Sequence, residues 1–317
     1  MPQDLAEMPT AESTPLDPPP DARMVSAKNG RRLRVEEWGK KDGTAVFVLH
    51  GTPGSRIGVA PRHGVLYRQG IRLIAYDRPG YGWSDRHLGR RVVDAADDVE
   101  AIANHLDVDR FAVVGRSGGG PHALACAARL GDRVTRTAAL VSLAPRVGDD
   151  GMGDAWYDGM GAGNREEYGR AVEGLDALTE SLQDRAKAIH EAPGELIKQL
   201  LAEVQAADLQ VIADAGIRRI LKDSYREALR QDGTGWIDDA LAFVNDWGFR
   251  LSEITSKVLL WHGTDDVFSP VSHSAWLDGH LPDSKLRMEP GAAHFDAIAR
   301  LPDVLSWLTK PGVPGCD

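Results

Sequence analysis

Apolar positions fall in short blocks toward both ends of the chain and at helical spacing through its middle. Residues 33–38 and 44–49 read as strands, and the second runs into His50-Gly51-Thr52-Pro53-Gly54. A helix-like segment over 59–69 precedes another apolar block at 71–76, which closes in the turn-rich run Asp77-Arg78-Pro79-Gly80-Tyr81-Gly82-Trp83-Ser84-Asp85. Val92, Ala96, Val99, Ile102, Ala103 and Leu106 then recur at helical spacing before the block Phe111-Ala112-Val113-Val114. Strands that are apolar on both faces and alternate with helices predict an α/β protein, a parallel sheet covered by helices.

After a strand predicted at 134–143 the alternation stops, and 147–247 is almost entirely helix-like and rich in charge. Leu175, Leu178, Leu182, Ala186 and Ile189 form one stripe; Ile197, Leu200, Leu201, Val204, Val211 and Ile212 a second; Ile217, Ile220, Leu221 and Leu229 a third. The α/β pattern resumes with strands at 257–261 and 285–288 and helices at 270–277 and 295–308. A helical insertion at 147–247 therefore interrupts one fold formed by 24–146 and 248–310. Residues 1–23, rich in proline and acid and without an apolar stretch, read as a disordered tail and not as a signal peptide, with a short C-terminal tail at 311–317.

Composition narrows the partners. A net charge of −10 with a pI near 5.5 offers no basic surface for nucleic acid or anionic membrane, so a small-molecule substrate is expected. No run approaches the length of a membrane span. The two cysteines, Cys126 and Cys316, provide neither a disulfide framework nor a metal cluster; the chain is expected in a reducing cytoplasm, with no cofactor and no metal.

The chemistry concentrates where the block 111–114 ends in Gly115-Arg116-Ser117-Gly118-Gly119 and a helix-forming segment follows at once. Gly-x-Ser-x-Gly between strand and helix is the sequence of a nucleophile elbow, in which a sharp turn lifts the serine above the sheet and points it at free N–H groups of the helix N-terminus. Gly118-Gly119-Gly120-Pro121-His122-Ala123 also fits a loose dinucleotide-binding turn. That turn usually belongs to the first strand of its domain and has an acid about 20 positions on, and neither holds here. A serine needs a base and a group to orient it. Asp265 and Asp266 follow the strand at 257–261, and His294 leaves the last strand through Pro290-Gly291-Ala292-Ala293, giving the chain order Ser, Asp, His.

Over residues 33–308 these motifs resemble the α/β-hydrolase-fold serine hydrolases with a helical cap, which makes 147–247 the cap. The resemblance implies a triad of Ser117, Asp266 and His294, with Asp266 preferred to Asp265 because Gly263, Asp266 and Pro270 match the family spacing. It implies an oxyanion hole made by the backbone N–H groups of Thr52 and Gly118. The loop at 50–54 is similar to the His-Gly-x-Pro-Gly loop of proline iminopeptidases, although the elbow does not follow the peptidase pattern; His50 is expected to brace this loop. Arg116 and Arg56 are candidates for a substrate carboxylate, against pairing with local acids. In the cap, Trp156 and Trp236 are candidates to line the substrate pocket, against packing in the cap core.

A serine at the elbow separates the chain from epoxide hydrolases and haloalkane dehalogenases, which use aspartate there. The expected reaction is hydrolysis of an ester or lactone of a small, partly apolar metabolite through an acyl-Ser117 intermediate. An aminopeptidase or amidase and a C–C bond hydrolase are the alternatives within the fold. A ligand receptor or binding scaffold that does not turn its ligand over is the alternative of another class.

Overall fold

The computed structural model describes residues 18–59, 63–194, 196–198 and 206–310. Eight strands form one sheet: β1 (Met24–Ser26), β2 (Arg32–Gly39), β3 (Thr44–Leu49), β4 (Ile71–Tyr76), β5 (Phe111–Arg116), β6 (Val134–Leu140), β7 (Val258–Gly263) and β8 (Ser284–Glu289). Their spatial order is β1-β2-β4-β3-β5-β6-β7-β8. The β1–β2 and β2–β4 pairs are antiparallel and every later pair is parallel.

The central strands are apolar throughout because both of their faces are covered. Along β3, Phe47 and Leu49 join one core while Val46 and Val48 join the other, as the two-residue repeat of a strand requires. The first core is closed by α2 (Ala95–His105) and α3 (Gly119–Leu130), which contribute Val99, Ile102 and Leu124. The second is closed by α1 (His63–Gln69) and, at the other end of the chain, the helix Asp296–Thr309, which contributes Leu305 and Leu308.

Strand order reverses at β3, whose neighbours are β4 on one side and β5 on the other. Connections leaving β3 and β5 therefore diverge, and a crevice opens beyond their carboxyl ends. Register sets Leu49 beside Gly115 and Arg116 beside Leu140. The segments after β3 and β5 consequently meet at one point on the sheet edge.

Between β6 and β7 lie α4 (Ala162–Glu173), α5 (Leu175–Glu191), α6 (Ala206–Ala213), α7 (Ala215–Ala228) and α8 (Thr234–Val244). After β7 come α9 (Val271–His280) and, after β8, the helix Asp296–Thr309, labelled α10. The α5 stripe buries Leu178, Leu182, Ala186 and Ile189, but Leu175, at the first helical position after Gly174, is 40% exposed. In α7 Leu221 is buried whereas Ile220, on the adjacent face, is 42% exposed. Leu200, Leu201 and Val204 lie outside the described residues, as do residues 1–17 and 311–317 of the two expected tails. The strand expected to reach residue 143 ends at Leu140, because Val141 turns the chain at a φ of 44°. Among the described residues, no helix is long and apolar enough to cross a membrane.

Candidate active site

Ser117 sits in the strand-to-helix turn with a φ of 56°, a conformation that costs energy for any residue with a Cβ and that surrounding contacts must hold. Its N–H donates to the Leu140 carbonyl at 2.8 Å, and its own carbonyl accepts the Gly120 N–H at 2.8 Å. A Cβ at Gly115 would lie 2.0 Å from the Gly119 carbonyl oxygen, and one at Gly119 would lie 2.1 Å from that of Leu49. Both glycines are therefore demanded by backbone approach. The tight turn leaves Ser117 on the wall of a cavity of about 90 Å³ that His294, Thr52 and Gly118 also line.

His294 Nδ1–H donates to Asp266 Oδ2 at 2.8 Å. The other oxygen of Asp266 accepts the N–H groups of Phe268 at 2.8 Å and Ser269 at 3.1 Å, so the loop after β7 wraps around the carboxylate. His262, on β7, brings Nε2 to 3.2 Å from Asp266 Oδ2 while also donating to the Ser269 carbonyl at 2.5 Å. Burial alone would discourage a charge on Asp266. The facing His294 and the bonds from His262 and His294 outweigh it and hold the carboxyl well below its usual range. Asp265 is exposed, and its carboxylate accepts the Thr264 hydroxyl at 2.9 Å. Of the two neighbouring acids, only Asp266 meets the histidine. The ring of Phe268 packs edge-on to His294 at 5.1 Å between centroids. No hydrogen bond within 3.5 Å joins Ser117 to His294 among the described residues; such contacts often tighten only when substrate fills the site.

Across the cavity, Thr52 and Gly118 are in close approach: a Cβ at position 118 would fall 2.2 Å from Thr52 Oγ1. No hydrogen bond among the described residues uses either backbone N–H. The Thr52 hydroxyl is committed elsewhere, donating to Asp239 Oδ2 at 2.5 Å and accepting from Arg78 Nη2 at 3.0 Å. His50 braces the same segment. Its Nδ1–H donates to the Gly51 carbonyl at 2.8 Å and its Nε2 accepts the Arg78 N–H at 3.1 Å. Burial, and then the charge of Arg78, push its imidazolium form well below the usual range, so this ring is a neutral strut.

An elbow serine after β5, a buried acid–histidine pair from the loops after β7 and β8, and two open amides make up the site on this eight-stranded sheet. The chain belongs to the α/β-hydrolase fold family. The family's model matches residues 44–300. The bifunctional esterase/perhydrolase DCH of Acinetobacter calcoaceticus is 25% identical over 277 residues, covering 85% of this chain and 92% of that protein. The 2-hydroxy-6-oxo-6-phenylhexa-2,4-dienoate hydrolase of Burkholderia cepacia is 27% identical over 291 residues, covering 85% and 89%. Among solved structures, the enol-lactonase from Burkholderia xenovorans LB400 superposes with a TM-score of 0.65 at 19% identity, over 90% of this chain and 98% of that one.

The helices after β6 supply the remaining wall of the hydrolase cavity, and here the structure decides between the alternatives weighed for four residues. Trp156 does not reach the cavity. It is fully buried where the turn at Gly153–Tyr157 crosses the end of β6, donates its indole N–H to the Ala144 carbonyl at 2.7 Å, and packs edge-on to Tyr168 and His273. Arg116 is not a lining residue either; its guanidinium lies over the Phe295 ring, 5.8 Å from the centroid, with Nη1 buried and unbonded. Arg56 pairs with Asp77 at 2.5 Å, Glu227 at 2.7 Å and Glu36 at 3.0 Å, which leaves it no role toward a ligand. Trp236, by contrast, does line the cavity, and its indole N–H donates to Glu167 Oε1 at 2.7 Å.

Several polar residues around the site were not singled out by sequence reasoning. Asp239, fully buried on α8, accepts from Thr52, Arg78 and Tyr81 through Oδ2 and pairs with Arg90 through Oδ1 at 2.7 Å. Its signal was available: a carboxylate three residues from Trp236 and four from Phe243, on one face of a largely apolar helix, must find a partner. Asp208, on α6, accepts the Phe295 N–H at 2.6 Å immediately after His294, and its other oxygen is buried with no partner among the described residues. Glu167, Tyr168 and Arg185 line the cavity from α4 and α5.

Proposed function

We propose that the chain is a serine hydrolase that cleaves an ester or lactone of a small, partly apolar metabolite through an acyl-Ser117 intermediate. The observation that carries the reading is the 2.8 Å His294–Asp266 pair opening onto the same cavity as Ser117 and the unbonded amides of Thr52 and Gly118. In the acylation step the Ser117 hydroxyl attacks the carbonyl carbon and passes its proton to His294 Nε2. Asp266 holds the ring in the Nδ1–H tautomer and stabilises the imidazolium. Negative charge that develops on the carbonyl oxygen is met by the Thr52 and Gly118 N–H groups, donors already fixed before reaction. His294 then protonates the departing alkoxide. In the second step it takes a proton from water, which attacks the acyl carbon and releases the acid and free Ser117.

The same cavity is lined by Glu167 and Tyr168 of α4, Arg185 of α5, Tyr225 of α7 and Trp236 of α8. This supports a role for the insertion as a lid that excludes water and selects the substrate. The names of the relatives also support C–C bond hydrolysis as a second reading, since one acts on a dienoate; both reactions pass through an oxyanion at the same place. Turnover of a panel of small esters, lactones and dienoates by wild type and by Ser117→Ala tests the proposal. The expected result is ester or lactone hydrolysis by wild type that falls at least about a thousandfold in the variant. Equal turnover by both proteins would overturn it.

A further inference from the structure

The cavity wall contributed by α4 carries a carboxyl group whose bonding is half complete. Glu167 is 8% exposed, and among the described residues one of its oxygens has a hydrogen-bond partner, the Trp236 indole N–H at 2.7 Å. Nη1 of Arg185 stands 3.9 Å from Oε2, close enough for an ion pair but beyond hydrogen-bond reach. Burial pushes the Glu167 carboxyl up to about 7, against the pull of Arg185 and of the indole bond. Tyr168 and Tyr225 line the same cavity, and no hydroxyl bond is made by either among the described residues. Oε2 is not sealed off, so the carboxyl keeps an acceptor that a donor in the cavity can reach. Because Glu167 borders the cavity that holds Ser117, a bound substrate can supply that donor.

We propose that Glu167 determines specificity by accepting a hydrogen bond from a neutral donor, a hydroxyl or an amide N–H, carried by the substrate away from its scissile bond. The neutrality follows from charge. An ammonium placed on Oε2 would stand beside the Arg185 guanidinium, which lies 3.9 Å from the same oxygen, and a carboxylate has no proton to donate. A hydroxyl or amide meets an acceptor and no opposing charge. This assignment rests on the serine-hydrolase reading and adds the class of substrate to it.

The test compares three matched groups at the same position, hydroxyl, methoxy and methyl, in two series: 4-nitrophenyl esters varied at C3 of a butanoyl chain, and butyl acetates varied at C3 or C4 of the alcohol. Assays at pH 8 keep Glu167 ionised. In wild type the hydroxyl member of at least one set should exceed its methoxy and methyl partners in kcat/KM by about tenfold, the size of one bond to a charged acceptor. Glu167→Gln presents an amide donor in place of the acceptor, so the hydroxyl-to-methoxy ratio of that set should fall by about tenfold. The wild-type ranking decides the matter alone if the variant does not fold. Ser117-dependent hydrolysis with a flat ranking in every set overturns the assignment while leaving the hydrolase reading standing. An unchanged ratio in a folded Glu167→Gln variant also overturns it. If wild type hydrolyses no ester, the hydrolase reading falls and this assignment falls with it.

Discussion

Two regions meet at the cavity, the strand ends of the sheet and the helices between β6 and β7, and they are held in different ways. On the sheet side each group is positioned by nearby backbone: Ser117 by the turn between β5 and α3, Asp266 by the amides of Phe268 and Ser269, His294 by Asp266 itself. On the helical side the anchors are buried charges that reach far along the chain. Asp239 of α8 is bound to Arg78 and Arg90, Glu227 of α7 to Arg56, and Asp238 to Arg86. The triad side is thus built locally, whereas the helical wall of the cavity depends on ion pairs between distant segments.

The comparison makes separable predictions. Ser117→Ala should lose at least about a thousandfold in kcat and keep its thermal stability, since alanine brings the same Cβ to the turn and removes only the hydroxyl. A large drop in Tm instead would mean that the turn depends on the hydroxyl. Asp266→Asn should cost about a thousandfold or more in kcat/KM, because only this carboxylate holds His294. Asp265→Asn should change activity less than about threefold, and the reverse ranking would reassign the acid.

A blow to the helical side should register first as stability. Asp239→Asn leaves Arg78 and Arg90 without a counter-charge in a fully buried position, a change that typically costs about 3 to 5 kcal/mol. Chemical denaturation of wild type and variant reads this difference, and a change below about 1 kcal/mol would show that the network does not bind helices to sheet. The two tryptophans split the outcomes further. Trp156→Phe removes the bond to the Ala144 carbonyl and should lower stability by about 1 to 2 kcal/mol with an unchanged substrate ranking. Trp236→Phe should reorder the substrate panel, since this ring faces the cavity.

How much of this was legible follows the same division. The sheet could be read because its strands are short, apolar and bounded by glycine-rich turns, and the order Ser117, Asp266, His294 is local to three strand ends. Strand β1, three residues long, carries no repeat to detect. Apolar spacing marked α5 and α7 but did not tell that Leu175 and Ile220 face outward, nor that Trp236 lines the cavity while Trp156 packs beneath it. Trp236 lies 69 residues from Glu167 and Thr52 lies 187 residues from Asp239, pairings that no local pattern encodes.

A further effect appears only as the pH is varied. Burial, and then the neighbouring His262, push the His273 imidazolium down to about 4 from an ordinary value near 6.5. The ring is bonded as a neutral group, accepting the Ala144 N–H and donating to the Trp156 carbonyl, each at 3.0 Å. The unfolded chain takes up this proton first, so the stability that His273 contributes is present above about 6.5 and is lost as pH falls toward 4. His273→Gln should therefore be less stable than wild type at pH 7 by about 2 kcal/mol, with the gap closing near pH 4.5. A gap that is constant across this range would show that the ring is not held neutral.

The central claim is that Ser117 becomes acylated, and the most direct measurement is peptide mass spectrometry after acid quench of the enzyme turning over 4-nitrophenyl acetate. One acetyl group per chain is expected, on Ser117, present in wild type and accumulating in His294→Ala only to the slight extent that an unassisted serine reacts. Turnover with no acetyl on Ser117, or with the label on another side chain, would contradict it.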